Sequence, residues 1–191
     1  MSKQFLPDDY ETPATQSNYM KFKQGENRFR ILGEPIFGWI GWKTNGEERR
    51  PFRFHREEKP VTTDFDKQRV NFFWAIIVWN YNEEAIQILD ITQFSIQKAI
   101  EALARNAKWG PPYDYDITVT RKGESLQTEY AVMPDPKTPV AKEIMEALIQ
   151  KPINLNALYD GEDPFEVNEN QVTEEDPFES PPLPTEVNIP D

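Results

Sequence analysis

Two aspartates, Asp114 and Asp116, stand two apart, and His55 is the only histidine in a chain of 191 residues with no cysteine. An Asp-x-Asp pair at a strand start can hold Mg²⁺ as in a metal-dependent nuclease, but such a site needs further acidic ligands, and none cluster beside it. One imidazole and no thiol leave little for nucleophilic catalysis and exclude a disulfide framework, a thiolate zinc site and a His-rich metal cage. No glycine loop of the phosphate-cradling kind is present. The expectation is a protein that is not an enzyme, with no metal and no cofactor. What the side chains do offer is non-covalent. Between Lys21 and Lys59, ten Lys and Arg stand against six Glu, interleaved with Phe22, Phe29, Phe37, Trp39, Trp42, Phe52 and Phe54. Cations alternating with flat rings suit a groove that tracks phosphates while bases stack, and an ordinary solvated sheet face has the same composition.

The formal net charge of −12 argues against a polyanion partner until it is divided along the chain. Eleven of the 33 acidic residues lie from Asp160 onward, where there is no Lys or Arg, so the body carries 22 acidic against 21 basic residues. The acidity belongs to a tail. That tail, residues 160–191, holds six prolines and no period and is read as disordered. It contains Glu162-Asp163-Pro164-Phe165-Glu166 and, thirteen residues on, Glu175-Asp176-Pro177-Phe178-Glu179. A Phe held by Pro among acids can anchor a partner protein, which makes Asp163, Pro164, Phe165, Asp176, Pro177 and Phe178 candidate partner-binding residues. For the first copy the alternative is that Phe165 closes the body. Residues 1–18 are polar, broken by Pro7 and Pro13, and read as a flexible arm. With no apolar leader and no stretch of membrane-spanning length, the chain reads as cytoplasmic and away from membranes.

The elements that must position these groups lie between residues 19 and 159. Tyr19 to Lys23 and Arg28 to Leu32 alternate so that Lys21, Lys23, Arg28 and Arg30 share an outward face, with Phe22, Phe29 and Ile31 inward. Ile36 to Thr44 is a strand whose Ile36, Gly38, Ile40 and Trp42 side is the predicted core; Phe37, Trp39 and Lys43 are then exposed, and Gly41 lets a flat ring approach the backbone. Asn45-Gly46 predicts a hairpin into the basic, aromatic segment Arg49 to Arg56, which Pro51 consigns to an edge. Residues 57–70 read as a polar loop. The best strand is Phe72 to Tyr81, apolar on both sides: Phe72, Trp74, Ile76 and Val78 on one, Phe73, Ala75, Ile77, Trp79 and Tyr81 on the other. If the domain has one core, one of those sides meets a flat ligand; otherwise both sets pack inside. Ala85 to Ile91 pairs with it, a helix capped by Thr92 runs to Ala107, two further strands follow over Tyr113 to Lys122 and Thr128 to Met133, and a second helix spans Pro139 to Gln150. Three meandering strands, a helix and two strands is the order of an OB-fold, a five-stranded Greek-key barrel, here mainly β with helices and an extra hairpin.

Tyr19-Met20-Lys21, Gly25 to Leu32, Phe73-Trp74-Ala75 with Val78-Trp79-Asn80-Tyr81, Ile91-Thr92-Gln93, Ile96 to Ile100, Tyr115 to Thr118 and Leu158 to Phe165 together resemble single-stranded DNA-binding proteins of tailed phages. The resemblance implies an OB-fold that coats single strands during phage DNA replication, recombination and repair in the host cytoplasm, with an acidic tail that engages replication or recombination proteins. Two departures stand out. The T-even helix-destabilising protein carries a Cys/His zinc site and a basic arm for self-association on DNA, whereas here there is no Cys and only Lys3 precedes Tyr19. Bacterial counterparts end on Phe, and this chain ends Ile189-Pro190-Asp191. Under this reading Lys21, Lys23, Arg28, Arg30, Lys43, Arg49, Arg50, Arg53 and Arg56 neutralise phosphates. Phe37, Trp39, Phe52, Phe54 and one face of the central strand, from among Phe72, Trp74, Trp79 and Tyr81, stack bases. RNA binding and a protein-docking module remain the alternatives, the nuclease a weaker one.

Overall fold

The computed structural model describes residues 17–166, so the arm before Ser17 and the second acidic repeat at Asp176, Pro177 and Phe178 lie outside the described residues. The chain is mainly β with a few helices: β1 (Tyr19–Met20), β2 (Gly25–Ile31), β3 (Ile36–Asn45), β4 (Glu48–His55), β5 (Val70–Asn80), β6 (Ala85–Ile91), α1 (Phe94–Arg105), β7 (Asp116–Lys122), β8 (Glu129–Pro134), α2 (Lys142–Gln150) and α3 (Ala157–Asp160). The sheet is open and branches at β5. One path runs β1-β6-β5-β2-β7-β8, and β3 with β4 attaches separately to β5. Both β2 and β3 lie along one edge of β5, β2 against Val78 to Asn80 and β3 against Val70 to Ala75, while β6 fills the other edge. No described helix is long and apolar enough to cross a membrane.

Local chemistry accounts for most boundaries. The hairpin expected at Asn45-Gly46 forms one residue on: Asn45 ends β3 paired with Glu48, and Gly46, at φ 64°, and Glu47 make the turn into β4, where Pro51 sits on a strand that pairs with β3 alone. The break expected at Gln24 to Asn27 falls earlier, because the Asn27 carboxamide accepts from the Lys23 amide (2.8 Å) and donates to the Lys23 carbonyl (2.8 Å), tying off residues 21–24 and freeing Gly25 to begin β2. Thr92 does not cap α1. Gln93 occupies that position, and its side-chain oxygen accepts from the Thr92 amide instead.

There are two cores, one on each side of β5, and this overturns the single-core premise. The first gathers Phe22, Phe29, Ile31, Ile76, Val78, Leu89, Ile91, Tyr115, Ile117 and Val119 beneath Ile96 and Ile100 of α1. Gln97 of that helix donates to the Ile91 and Phe72 carbonyls (2.8 and 3.1 Å), pinning it across the strand ends. The second gathers Ile40, Phe73, Ala75 and Ile88 under Leu155 and Leu158. Its cover is a C-terminal strap, residues 151–166, that composition had partly assigned to the tail. Tyr159 stacks on His55 (3.9 Å between centroids) and donates its hydroxyl to the Phe37 carbonyl (2.7 Å). Pro164 is buried, its carbonyl accepts from the Asn154 amide (2.8 Å), and the Phe165 ring meets Tyr19 edge-on (6.2 Å) with the Lys151 ammonium 5.0 Å from its centroid. Asp163 serves the same turn, accepting from the Phe165 amide. The first Asp-Pro-Phe copy packs on the body, the closing role the sequence left open for Phe165.

Candidate nucleic-acid interface

Strand register builds an aromatic face. Phe37 lies opposite Trp74, Trp39 lies between Phe54 and Phe72, Gly41 is opposite Phe52, and Lys43 is opposite Arg50. Residues directly opposite on paired strands share a face, so these nine side-chain positions form one surface across β4, β3 and β5. Phe37 meets Trp74 edge-to-face at 5.5 Å, and Trp39 meets Phe72 edge-to-face at 5.1 Å, so the rings brace one another. Phe37 and Phe52 are exposed at 37% and 42%, unusual for Phe on a mature surface. Trp39 donates its ring N–H to the Arg56 carbonyl (2.9 Å), and the Lys59 ammonium lies 4.4 Å from its ring centroid. Beyond Phe37 and Trp74 the face runs into an apolar pocket of about 340 Å³ that also includes Pro35, Ile76, Ile100 and Tyr113.

Of the predicted base-stacking residues, Phe37, Trp39, Phe52, Phe54, Phe72 and Trp74 come together on this face. Trp79 and Tyr81 do not. They project from the other side of β5, beside Arg30 and Arg28, where the Tyr81 hydroxyl donates to Asp116 (3.1 Å). Burial, and then the Asp116 charge, raise the Tyr81 hydroxyl pKa.

The basic residues divide similarly. Lys21, Lys43, Arg50 and Arg56 are exposed, Arg50 holding Glu48 (2.6 Å), and Lys23 is exposed but paired with Glu83 (2.8 Å). Arg28 is half exposed between Asp116 (2.6 Å) and Asp135 (3.2 Å), and Arg49 lies over the Trp42 ring (4.6 Å). Two expectations fail. Arg30 is 1% exposed, with its guanidinium on Asp116 and on the Tyr113 and Thr138 carbonyls (2.9 and 2.8 Å). Arg53 faces the strap side of β4, its side chain 8% exposed and paired with Asp90. Arg30 stands on the side of β2 that alternation turns away from the core, but other chain covers that side; Arg53 lies opposite Ile40, on the side of the second core.

Asp116 fares no better as a metal ligand. Its two oxygens accept from Arg28, Arg30 and Tyr81, and Asp114 is exposed beside Lys137 (3.5 Å). No group of three or more potential metal ligands occurs among the described residues.

Sequence reasoning missed several residues at or near the surface. Arg121 joins Lys21, Trp42, Arg53, Asp90, Gln93 and Tyr130 in a cleft of about 550 Å³, donating to the Phe22 carbonyl (2.9 Å). Lys59, Phe65 and Asp66 come from the polar loop before β5, where no period marked them. Phe65, the single aromatic residue in that fourteen-residue segment, was the available signal.

The result is a β-rich body presenting a sheet face of braced aromatic rings bordered by cations, a surface for a ligand with flat rings and negative charge. By sequence the chain is 26% identical over 140 residues to a probable ssDNA-binding protein of Escherichia phage T5. That match covers 60% of this chain and 53% of the phage protein, so the chain spans about half the length of the curated relative it matches. No family model matches the sequence, and no solved structure matches it.

Proposed function

We propose that this protein binds single-stranded DNA without acting on it chemically. The observation that carries the proposal is the partly exposed ring face of β3, β4 and β5, with Phe37, Trp39, Phe52, Phe54, Phe72 and Trp74 flanked by Lys43, Arg50, Arg56 and Lys59. Every base has a π-face, so stacking here is tolerant of sequence, and duplex DNA hides those faces. The likeness to the phage T5 protein supports the same reading. The open β-rich sheet suits an OB-like fold whose strands carry the oligonucleotide. We assign the protein to coating of single strands in phage replication, recombination and repair, with the acidic segment beyond Glu166 engaging partner proteins.

Titration of tryptophan fluorescence with oligo-dT, an RNA oligomer and a duplex of equal length tests this. The expected result is quenching by the single strand, weak response to duplex, and a log-log salt slope of about −0.7 per phosphate neutralised. No response to oligo-dT at low salt overturns the proposal. Tighter binding of RNA than of DNA reassigns the ligand.

A further inference from the structure

The loop between β4 and β5 crosses the ring face, and only one of its residues is buried. Phe65 is 7% exposed and packs against Gly41, where a Cβ would stand 2.4 Å from its ring. Phe54 and Phe52 wall the ring at 5.8 and 6.4 Å, and the Lys43 ammonium is 4.8 Å from its centroid. One residue on, the Asp66 carboxylate accepts from the Thr44 amide (3.0 Å) and hydroxyl (2.7 Å) and pairs with Arg49 (3.5 Å). An aromatic ring on a glycine seat, followed by an anion on an amide, a hydroxyl and a guanidinium, presents the chemistry of a base and its phosphate. Gly41 was read from sequence as a place where a flat ring could reach the backbone; the ring found there is the protein's own.

The hold is weak. Lys67 and Gln68, directly after Asp66, both have positive φ (56° and 50°), a conformation that strains side-chain-bearing residues. Lys59 meets the Trp39 ring from an exposed position, and Val61 is 64% exposed. The loop is fastened to the sheet face by the Phe65 ring and the Asp66 carboxylate, with strained backbone directly after them.

We infer that Gly41, Lys43, Thr44 and Arg49 form a subsite for one nucleotide of single-stranded DNA, which Phe65 and Asp66 fill in the free protein and which the nucleic acid takes over by displacing the loop. The inference rests on the single-strand reading above and adds to it an internal competitor. The affinity measured for the whole protein is then the intrinsic affinity reduced by the fraction of molecules with the loop open.

The test uses the full chain as wild type, Phe65→Ala and Asp66→Asn, each titrated with oligo-dT. A parallel limited digestion by trypsin follows cleavage at Lys59, Lys67 and Arg69 with and without the oligonucleotide. Asp66→Asn retains the shape of the loop, so it stands if Phe65→Ala fails to fold. Displacement predicts that both variants tighten binding, by about three- to tenfold if the loop is closed most of the time, and that oligo-dT speeds cleavage of the wild-type loop. Weaker or unchanged binding by Asp66→Asn, or protection of the loop by oligo-dT, overturns the inference while leaving single-strand binding in place. If no form binds oligo-dT at low salt, the functional reading falls and the subsite with it.

Discussion

Replacing Asp116 by Asn leaves the Arg30 guanidinium without its counter-charge at a position only 1% exposed. Arg28 shares that carboxylate but is half exposed and has Asp135 within 3.2 Å, so it loses little. Arg30 retains the Tyr113 and Thr138 carbonyls, which satisfy its N–H groups but not its charge. Breaking a buried pair by neutralising one member costs about 3–5 kcal/mol. In a body of this size that corresponds to a fall of roughly 6–20 °C in Tm, at about 2–4 °C per kcal/mol. Thermal unfolding followed by circular dichroism measures it, with Arg28→Gln as the exposed control, expected to lose no more than about 1 kcal/mol. The oligo-dT affinity of folded Asp116→Asn stays within about twofold of wild type, under half a kcal/mol, because Arg30 does not reach the ring face. A Tm within 2 °C of wild type, by the conversion above roughly 1 kcal/mol or less, refutes the idea that this pair is a buried structural clasp. A large loss of DNA affinity at unchanged Tm refutes its separation from the binding surface.

Trp39→Ala lowers oligo-dT affinity by about 1–3 kcal/mol, the worth of one base stack, while Trp79→Ala, on the other side of β5, leaves it nearly unchanged; equal losses in the two titrations would remove the assignment of faces. The Asp66 carboxyl is held below its ordinary pKa by its hydrogen bonds from Thr44 and by Arg49. With a depressed folded pKa, the anchor is intact above the ordinary Asp range and is lost only as pH falls through the lowered value. Loop cleavage rates, corrected for protease activity, are therefore flat from neutral pH down to about pH 5, and a rise within that window counts against the anchor. Ending the chain after Glu166 leaves urea stability unchanged, whereas ending it after Tyr159 removes Pro164 and Phe165 and lowers stability by about 2–4 kcal/mol, the scale of losing a large packed side chain. Equal stability of the two truncations contradicts the role of the strap.

Much of the body was readable because its signals are local. The run from Phe72 to Tyr81, the hairpin at Gly46, one residue on from its expected place, and the edge position of Pro51 depend on residues within one or two hairpins. The exposure of Phe37 and Lys43 followed from simple alternation along β3. What was illegible depends on partners far along the chain. Arg30 alternates away from Phe29 as expected, but its partner Asp116 lies 86 residues on, and nothing nearby announces that its face will be covered. The second core was hidden for the same reason: Phe73 and Ala75 are closed by Leu155 and Leu158, in a segment whose acids and prolines look like tail. The Gly41 seat was half read, since a missing Cβ states that something comes close but not what.

The strap gives the order of synthesis a physical meaning. Once the chain has been made through β6 and α1, the first core has most of its wall, but the opposite side of β5 still exposes Phe73, Ala75 and Ile40 to water. That side stays open until the ribosome has passed Glu166, some 86 residues beyond Asn80, or about 4–17 seconds at ordinary elongation rates. During that interval the nascent chain is a twisted sheet with an apolar flank and a bare edge at β4, the kind of surface on which neighbouring chains aggregate. Closure by Leu155, Leu158 and Phe165 ends the exposure, and it covers the flank on which Phe73 lies while the strap stays clear of the ring face on the opposite side. A slow stretch of codons before residue 150 lengthens this vulnerable phase, and rapid passage through residues 151–166 shortens it.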